Sequence, residues 1–199
     1  MGWYARSTFS IAGCVLAGIL MSFGQTVLPE ALSPLPNSAT PVVALAGAAS
    51  LAARQLRGAV ALGAAAGPAA MAAYYATSHA RGYGVSMSYV ALWCTAGILI
   101  GGATGAATWL LRNGAGRPAW LRATAAGWLP GIAAGEALHG LLRISDTTPA
   151  GYWWTQLGLG VALLAWTSAS RLATWTSRTA AAGTSAVVAV ALFATFGMI

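Results

Sequence analysis

The chain has 199 residues, of which 58% are hydrophobic and only 7% charged, against roughly 25% charged in an ordinary soluble domain, and this excludes a water-soluble fold. Ten basic residues against three acidic ones give a net charge of +7, but they stand between apolar runs and read as topology signals, not as a nucleic-acid surface. All ten are Arg; with no Lys, mechanisms through a lysine Schiff base or an amine nucleophile drop out, and retinal and pyridoxal phosphate with them.

The expected fold class is all-α: a polytopic bundle of about seven transmembrane helices forming a single transmembrane domain over residues 1–199. A crossing needs roughly 20 mostly apolar residues. The spans run Thr8–Leu28, Asn37–Ala53, Gly58–Thr77, Ser86–Leu111, Leu121–Leu142, Gly151–Ser170 and Thr179–Ile199, the second being the shortest. Within the first, Ile11-Ala12-Gly13-Cys14 resembles a lipoprotein cleavage box, but too few apolar residues precede it for a signal h-region and the run continues past Cys14. The segment is expected to be kept as a helix. Asn37, Ser38 and Pro41 open the second span as a cap and an early-turn proline. Cys14 and Cys94 fall toward opposite membrane faces and read as small packing residues.

Sorted by side, Arg6, Arg54, Arg57, Arg112, Arg117, Arg122, Arg171 and Arg178 lie with the N-terminus, and only Arg81 and Arg143 lie opposite. The positive-inside rule then puts the N-terminus in the cytoplasm and the C-terminus outside, in a multi-pass protein of the cell membrane. Trp3, Tyr4, Trp109, Trp120 and Trp175 on the inner side, with Tyr83, Tyr152, Trp153 and Trp154 on the outer, form the expected interfacial belts. Glycine recurs every fourth residue at Gly97, Gly101 and Gly105 and again at Gly127, Gly131 and Gly135, with a weaker Gly63/Gly67 pair. Such stripes let helix backbones approach; close helix contacts are expected at both, with each other or with neighbours.

Polar residues inside the spans gather on the outer side. Glu136, His139 and Arg143 share one face of the fifth helix, and an acid held in the membrane is a functional-site candidate by default. Glu30 and Asp146, the other two carboxylates, fall on the same side. Gln25, near the outer end of the first span, is a candidate hydrogen-bond partner for Glu136. His79 and His139 come to one level, but without ligand spacing no metal and no cofactor is expected. Tyr74, Tyr75, Tyr89, Trp93 and Trp128 exceed what the belts require, and aromatic faces can line a greasy pocket or stabilise a cation.

Gly24-Gln25-Thr26-Val27-Leu28-Pro29, Leu35-Pro36-Asn37-Ser38, Tyr74-Tyr75, Trp93, the glycines of the fourth span and Gly135-Glu136-Ala137 resemble an uncharacterised family of small polytopic membrane proteins from high-GC Gram-positive bacteria. That resemblance covers most of the chain and implies no activity. In architecture alone the chain also looks like the small seven-span terpene cyclases, which protonate an olefin or epoxide with membrane-embedded carboxylates.

The leading expectation is therefore a membrane-embedded enzyme acting on an isoprenoid-type substrate by acid-initiated cyclisation, a terpene cyclase-like reaction. Glu136 would be the proton donor, Glu30 or Asp146 the second carboxylate, and His139 and Gln25 the orienting groups. Tyr75, Trp93 and Trp128 would be pocket walls, with Arg81 and Arg143 holding a diphosphate if one is present. The alternatives are a proton-coupled small-molecule transporter, with Glu136 and His139 as relay, and a non-catalytic scaffold. Expected partners are the bilayer, a lipophilic small molecule, and another copy or a membrane subunit docked on the glycine stripes, with no nucleic acid.

Overall fold

A computed structural model describes residues 2–198. Among these the chain is all helical: α1 (Trp3–Val27), α2 (Ala39–Ser50), α3 (Leu56–Ala80), α4 (Met87–Asn113), α5 (Ala119–Arg143), α6 (Ala150–Arg171) and α7 (Trp175–Phe196), with 3-10 turns at Glu30–Leu32 and Leu35–Asn37. Four of them, α1, α3, α4 and α7, are long and apolar enough to cross a membrane. α5 and α6 are comparable in length, at 25 and 22 residues, but less apolar, α5 because it carries Arg122, Glu136, His139 and Arg143. Ile199, the expected end of the seventh span, lies outside the described residues.

The second expected span, Asn37–Ala53, yields a helix of only 12 residues, about 18 Å long against roughly 30 Å of hydrocarbon. Local chemistry shortens it at both ends. Pro36 and Asn37 are taken by the 3-10 turn, and Ser38 is the N-cap, with φ −88° and ψ 136°. At the other end Leu51, Ala52 and Ala53 each donate a backbone bond three residues back, at 3.1 Å. The Ser50 hydroxyl meets Ala46 O at 2.7 Å and Ala59 O at 3.0 Å, tying this tightened end to the start of α3.

The helices pack as two compact units, residues 1–28 with 35–109, and residues 29–34 with 110–199. In the first, Cys14, Val42, Ala46, Ala49, Ala66 and Ala70 form a core of small side chains shared by α1, α2 and α3. The α4 stripe closes on the Gly63/Gly67 pair of α3: a Cβ at Gly97 would meet the Gly67 carbonyl carbon at 3.1 Å.

In the second unit α5 is central. A Cβ at Gly127 would lie 2.9 Å from Ser185 N, at Gly131 2.7 Å from Ser185 O, and at Gly135 2.9 Å from Ala189 Cα, so the α5 stripe closes on α7. Each stripe thus finds its partner within its own unit, on a helix other than the one bearing the second stripe. Pro130 lacks the N–H that would bond Ala126 O, and the Thr167 hydroxyl of α6 stands 3.5 Å from that carbonyl.

Trp3, Tyr4, Trp120, Trp154 and Trp175 are exposed, in keeping with interfacial anchors. Trp153 is not one of them. It is 4% exposed, its indole fits over Gly140, where any side chain would collide with it, and its Nε1 donates to Thr148 Oγ1 at 2.8 Å.

Candidate functional site

The first unit holds a cavity of about 290 Å³ lined by α2, α3, α4, the end of α1 and the 3-10 turn at Leu35–Asn37. Its origin is the short α2. A 12-residue helix set among helices of 25, 25 and 27 residues cannot fill the column they define, and its N-terminal turns, Ala39 to Ala46, form part of the wall. Tyr75, Trp93, Met21 and Met71 are among its large apolar lining residues, while Asn37, Ser38 and Tyr74 bring polar atoms. No charged side chain lines it.

A closed ring of hydrogen bonds stands at the polar end. Gln25 Nε2 donates to Asn37 Oδ1 at 2.8 Å and also to the Tyr74 hydroxyl, which in turn donates to Asn37 Oδ1 at 2.8 Å. Tyr74 is 9% exposed, so its hydroxyl needs such partners. Gly24 makes the arrangement fit: a Cβ there would come within 3.1 Å of Pro36 Cγ, so the bare backbone lets the 3-10 turn lie against α1 and bring Asn37 to Gln25. Asn37 was expected as part of a helix cap. Because Ser38 takes the cap, Asn37 is released, and two capping-type residues in succession were the available signal.

A second polar locus lies in the other unit. Glu136 is 4% exposed. Its Oε2 accepts from Gln156 Nε2 at 3.1 Å, and the same amide reaches Ala133 O at 3.2 Å. Gln25, the expected partner of Glu136, is engaged in the Asn37–Tyr74 ring instead. Gln156 was missed in the sequence; an isolated amide in an otherwise apolar helix is the hint it gave. His139 is half-buried between Phe193 and Phe196, with ring centroids 6.1 and 5.3 Å away, and its Nδ1 is buried without a hydrogen-bond partner. Arg143, exposed at the end of α5, lies 5.7 Å from the Phe193 ring.

The remaining expected site residues are dispersed. Glu30 is exposed in its 3-10 turn, and Asp146 is exposed in the turn after α5. Trp128 is half-buried on α5 and is not part of the cavity wall, whereas Tyr75 and Trp93 are. Arg81 is spent on α1: it donates to Ser22 O, to Ser22 Oγ at 3.3 Å and to Thr26 Oγ1 at 2.6 Å, and lies 4.4 Å from the Phe23 ring. A guanidinium so engaged pins two helices together and is poorly placed to clasp a diphosphate. Among the described residues no three of His, Cys, Asp and Glu gather as a metal site would require.

Residues 1–198 match the family of unknown function DUF6518, and the chain belongs to that family. No curated protein and no solved structure matches it.

Proposed function

Starting from membership in that family, we propose that the chain is a seven-pass protein of the cell membrane, N-terminus inside and C-terminus outside, in which the short α2 completes its crossing with the 3-10 turns at its two ends, and that its first unit holds a lipophilic small molecule of isoprenoid type. The observation that carries this reading is the cavity of about 290 Å³, near the lower end of the size range of small-molecule sites, mostly apolar and furnished with a few polar groups at one end. The eight-to-two division of arginines supports the orientation, since basic residues favour the cytoplasmic side.

Acid-initiated cyclisation asks for a carboxylic acid against the bound chain. Glu30, Glu136 and Asp146 all belong to the second unit, and none lines the cavity, so binding is the part of the enzymatic expectation that the geometry supports. The test is photo-crosslinking in membranes with a diazirine-bearing prenyl probe. Label concentrated on Tyr75, Met71 and Trp93, and reduced severalfold by the space-filling Ala96→Phe, supports the site. Label spread evenly over lipid-exposed positions such as Leu99 and Leu159 removes it.

A second reading has its own observation. An acid 4% exposed inside α5 and bonded to Gln156 is the kind of group that membrane carriers use for proton relay. Uptake driven by a pH gradient in proteoliposomes, abolished by Glu136→Gln, would identify a proton-coupled transporter.

A further inference from the structure

We infer that the second unit carries a binding site for the phosphate of an anionic phospholipid, formed by Arg122, Arg171 and Arg178. None of these residues lines the cavity of the first unit, and the inference does not depend on what that cavity holds.

Three helices contribute. Leu172, 3% exposed, is buried with Ala123, Ala126 and Ala181 and anchors the link from α6 to α7 against the start of α5. Arg122, in the first turn of α5, donates from Nη2 to Arg171 O. Arg178, in the first turn of α7, donates from Nε to Leu172 O at 3.2 Å. Guanidiniums from two helices thus meet the carbonyls of consecutive residues, and Arg171 itself is the exposed last residue of α6. A Cβ at Gly114 would lie 3.4 Å from Arg122 Cγ, so the turn before α5 bears on the stem of that side chain and restricts its head.

The charge at this end does not balance. The C-terminal end of α6 supplies roughly half a negative charge against three guanidiniums, and the N-terminal end of α7 adds to the positive side. The acids lie elsewhere: Glu136 is about four turns, or about 21 Å, further along α5, Asp146 follows the far end of that helix, and Glu30 sits in the turn after α1. Arg122 is half-buried, and its Nε is buried with no hydrogen-bond partner. A charge partly stripped of water is costly until an anion meets it. The bonds to α6 leave Nη1 of Arg122 and both Nη atoms of Arg178 for a ligand, and arginine is the side chain whose planar fork fits phosphate.

The surroundings favour a lipid over dissolved phosphate. Trp120 and Trp175, 64% and 77% exposed, stand in the same first turns as Arg122 and Arg178, and indoles so placed settle at headgroup level. The arginines beside them come to the depth of the lipid phosphates. Topology asks only for positive charge on this side; convergence of three helices' arginines on one link goes beyond that.

The test is native mass spectrometry of the full chain released from nanodiscs of equal parts phosphatidylcholine and phosphatidylglycerol, whose headgroups are neutral overall and anionic. Expected is retention of phosphatidylglycerol over phosphatidylcholine by about fivefold or more, the effect of one arginine at an anionic surface. Arg122→Gln with Arg178→Gln keeps an N–H donor for each α6 carbonyl but removes two charges, and should bring the ratio close to one. Arg6→Gln with Arg57→Gln removes the same charge from the first unit and should leave the ratio within about twofold of the wild type. If the first double variant does not fold, Arg171→Gln at its exposed position should lower the ratio severalfold by itself, and an unchanged ratio there overturns the inference. Equal retention of the two lipids by the wild-type chain, or an equal fall in both double variants, overturns it as well. So does displacement of phosphatidylglycerol by millimolar inorganic phosphate, which would assign the arginines to a dissolved anion.

Discussion

Gly63 and Gly101 face each other so closely that a Cβ on either would lie 3.0 Å from the other's carbonyl carbon. In lipid the hydrophobic effect does little to hold helices together, so such backbone contact is a main source of α3–α4 cohesion. The same approach positions two parts of the cavity wall, Tyr74 and Tyr75 on α3 and Trp93 on α4.

Replacing either glycine should therefore damage the first unit. Gly101→Val is expected to destabilise by about 2 kcal/mol or more, the scale of overpacking in a tight contact, whereas Gly102→Ala, whose added carbon would meet Ala64 Cβ at an ordinary 3.5 Å, should be close to neutral. Thermal unfolding in detergent compares them. Equal midpoints for the two variants would remove the backbone contact from the account.

The bond between Gln156 and Glu136 predicts an asymmetry. Glu136→Leu leaves a buried amide with one partner fewer and should cost roughly 1–3 kcal/mol, while Glu136→Gln keeps an oxygen for that amide and should cost less. The double change Glu136→Leu with Gln156→Leu should recover part of the loss, because removing both members of a buried pair costs less than orphaning one. A double-mutant cycle on chemical unfolding in mild detergent reads the coupling, and additive effects would mean the two side chains do not depend on each other.

Trp153 and Gly140 form a fitted pair. Gly140→Ala should force the indole out, giving a red-shifted tryptophan emission and a loss of about 1–3 kcal/mol. Trp153→Phe, which keeps a ring but loses the bond to Thr148, should be milder. An unchanged emission maximum in Gly140→Ala would show the indole to be elsewhere.

The proposed topology sets sides for two loops. Gly84 and Gly116 both have open space around the Cβ position, so a cysteine fits at each. In a background lacking Cys14 and Cys94, Gly84→Cys should react with an impermeant maleimide from outside intact cells and Gly116→Cys only from inverted vesicles. Labelling of both from the same side would mean that α4 does not cross.

The extent of the helices was legible because it is written locally. Apolar run length and the glycine and proline breaks between runs located all seven helices to within a few residues at their ends; at α2 the difference matters most, because Pro36 and the 3-10 bonds after Ser50 trim an already short span. Tyr75 and Trp93 stood out as more aromatic surface than the interfaces needed, and both line the cavity. The identity of partners was not written locally. Gln25 has the same composition of neighbours whether it faces Glu136 or Asn37, and only the seat that Gly24 offers Pro36 decides for Asn37.

The sequence by itself determined an all-helical chain with helices long and apolar enough to cross a membrane, the places where helices can approach closely, and the position of Glu136 within α5, since periodicity, apolar length and small-residue spacing act along one segment at a time. Tertiary structure decided which stripe meets which helix, that Gln156 receives Glu136, that Arg81 serves α1, and that a void opens beside the short α2. Those outcomes depend on residues far apart in the chain competing for the same hydrogen bonds and the same space, and that competition is settled only when the helices pack.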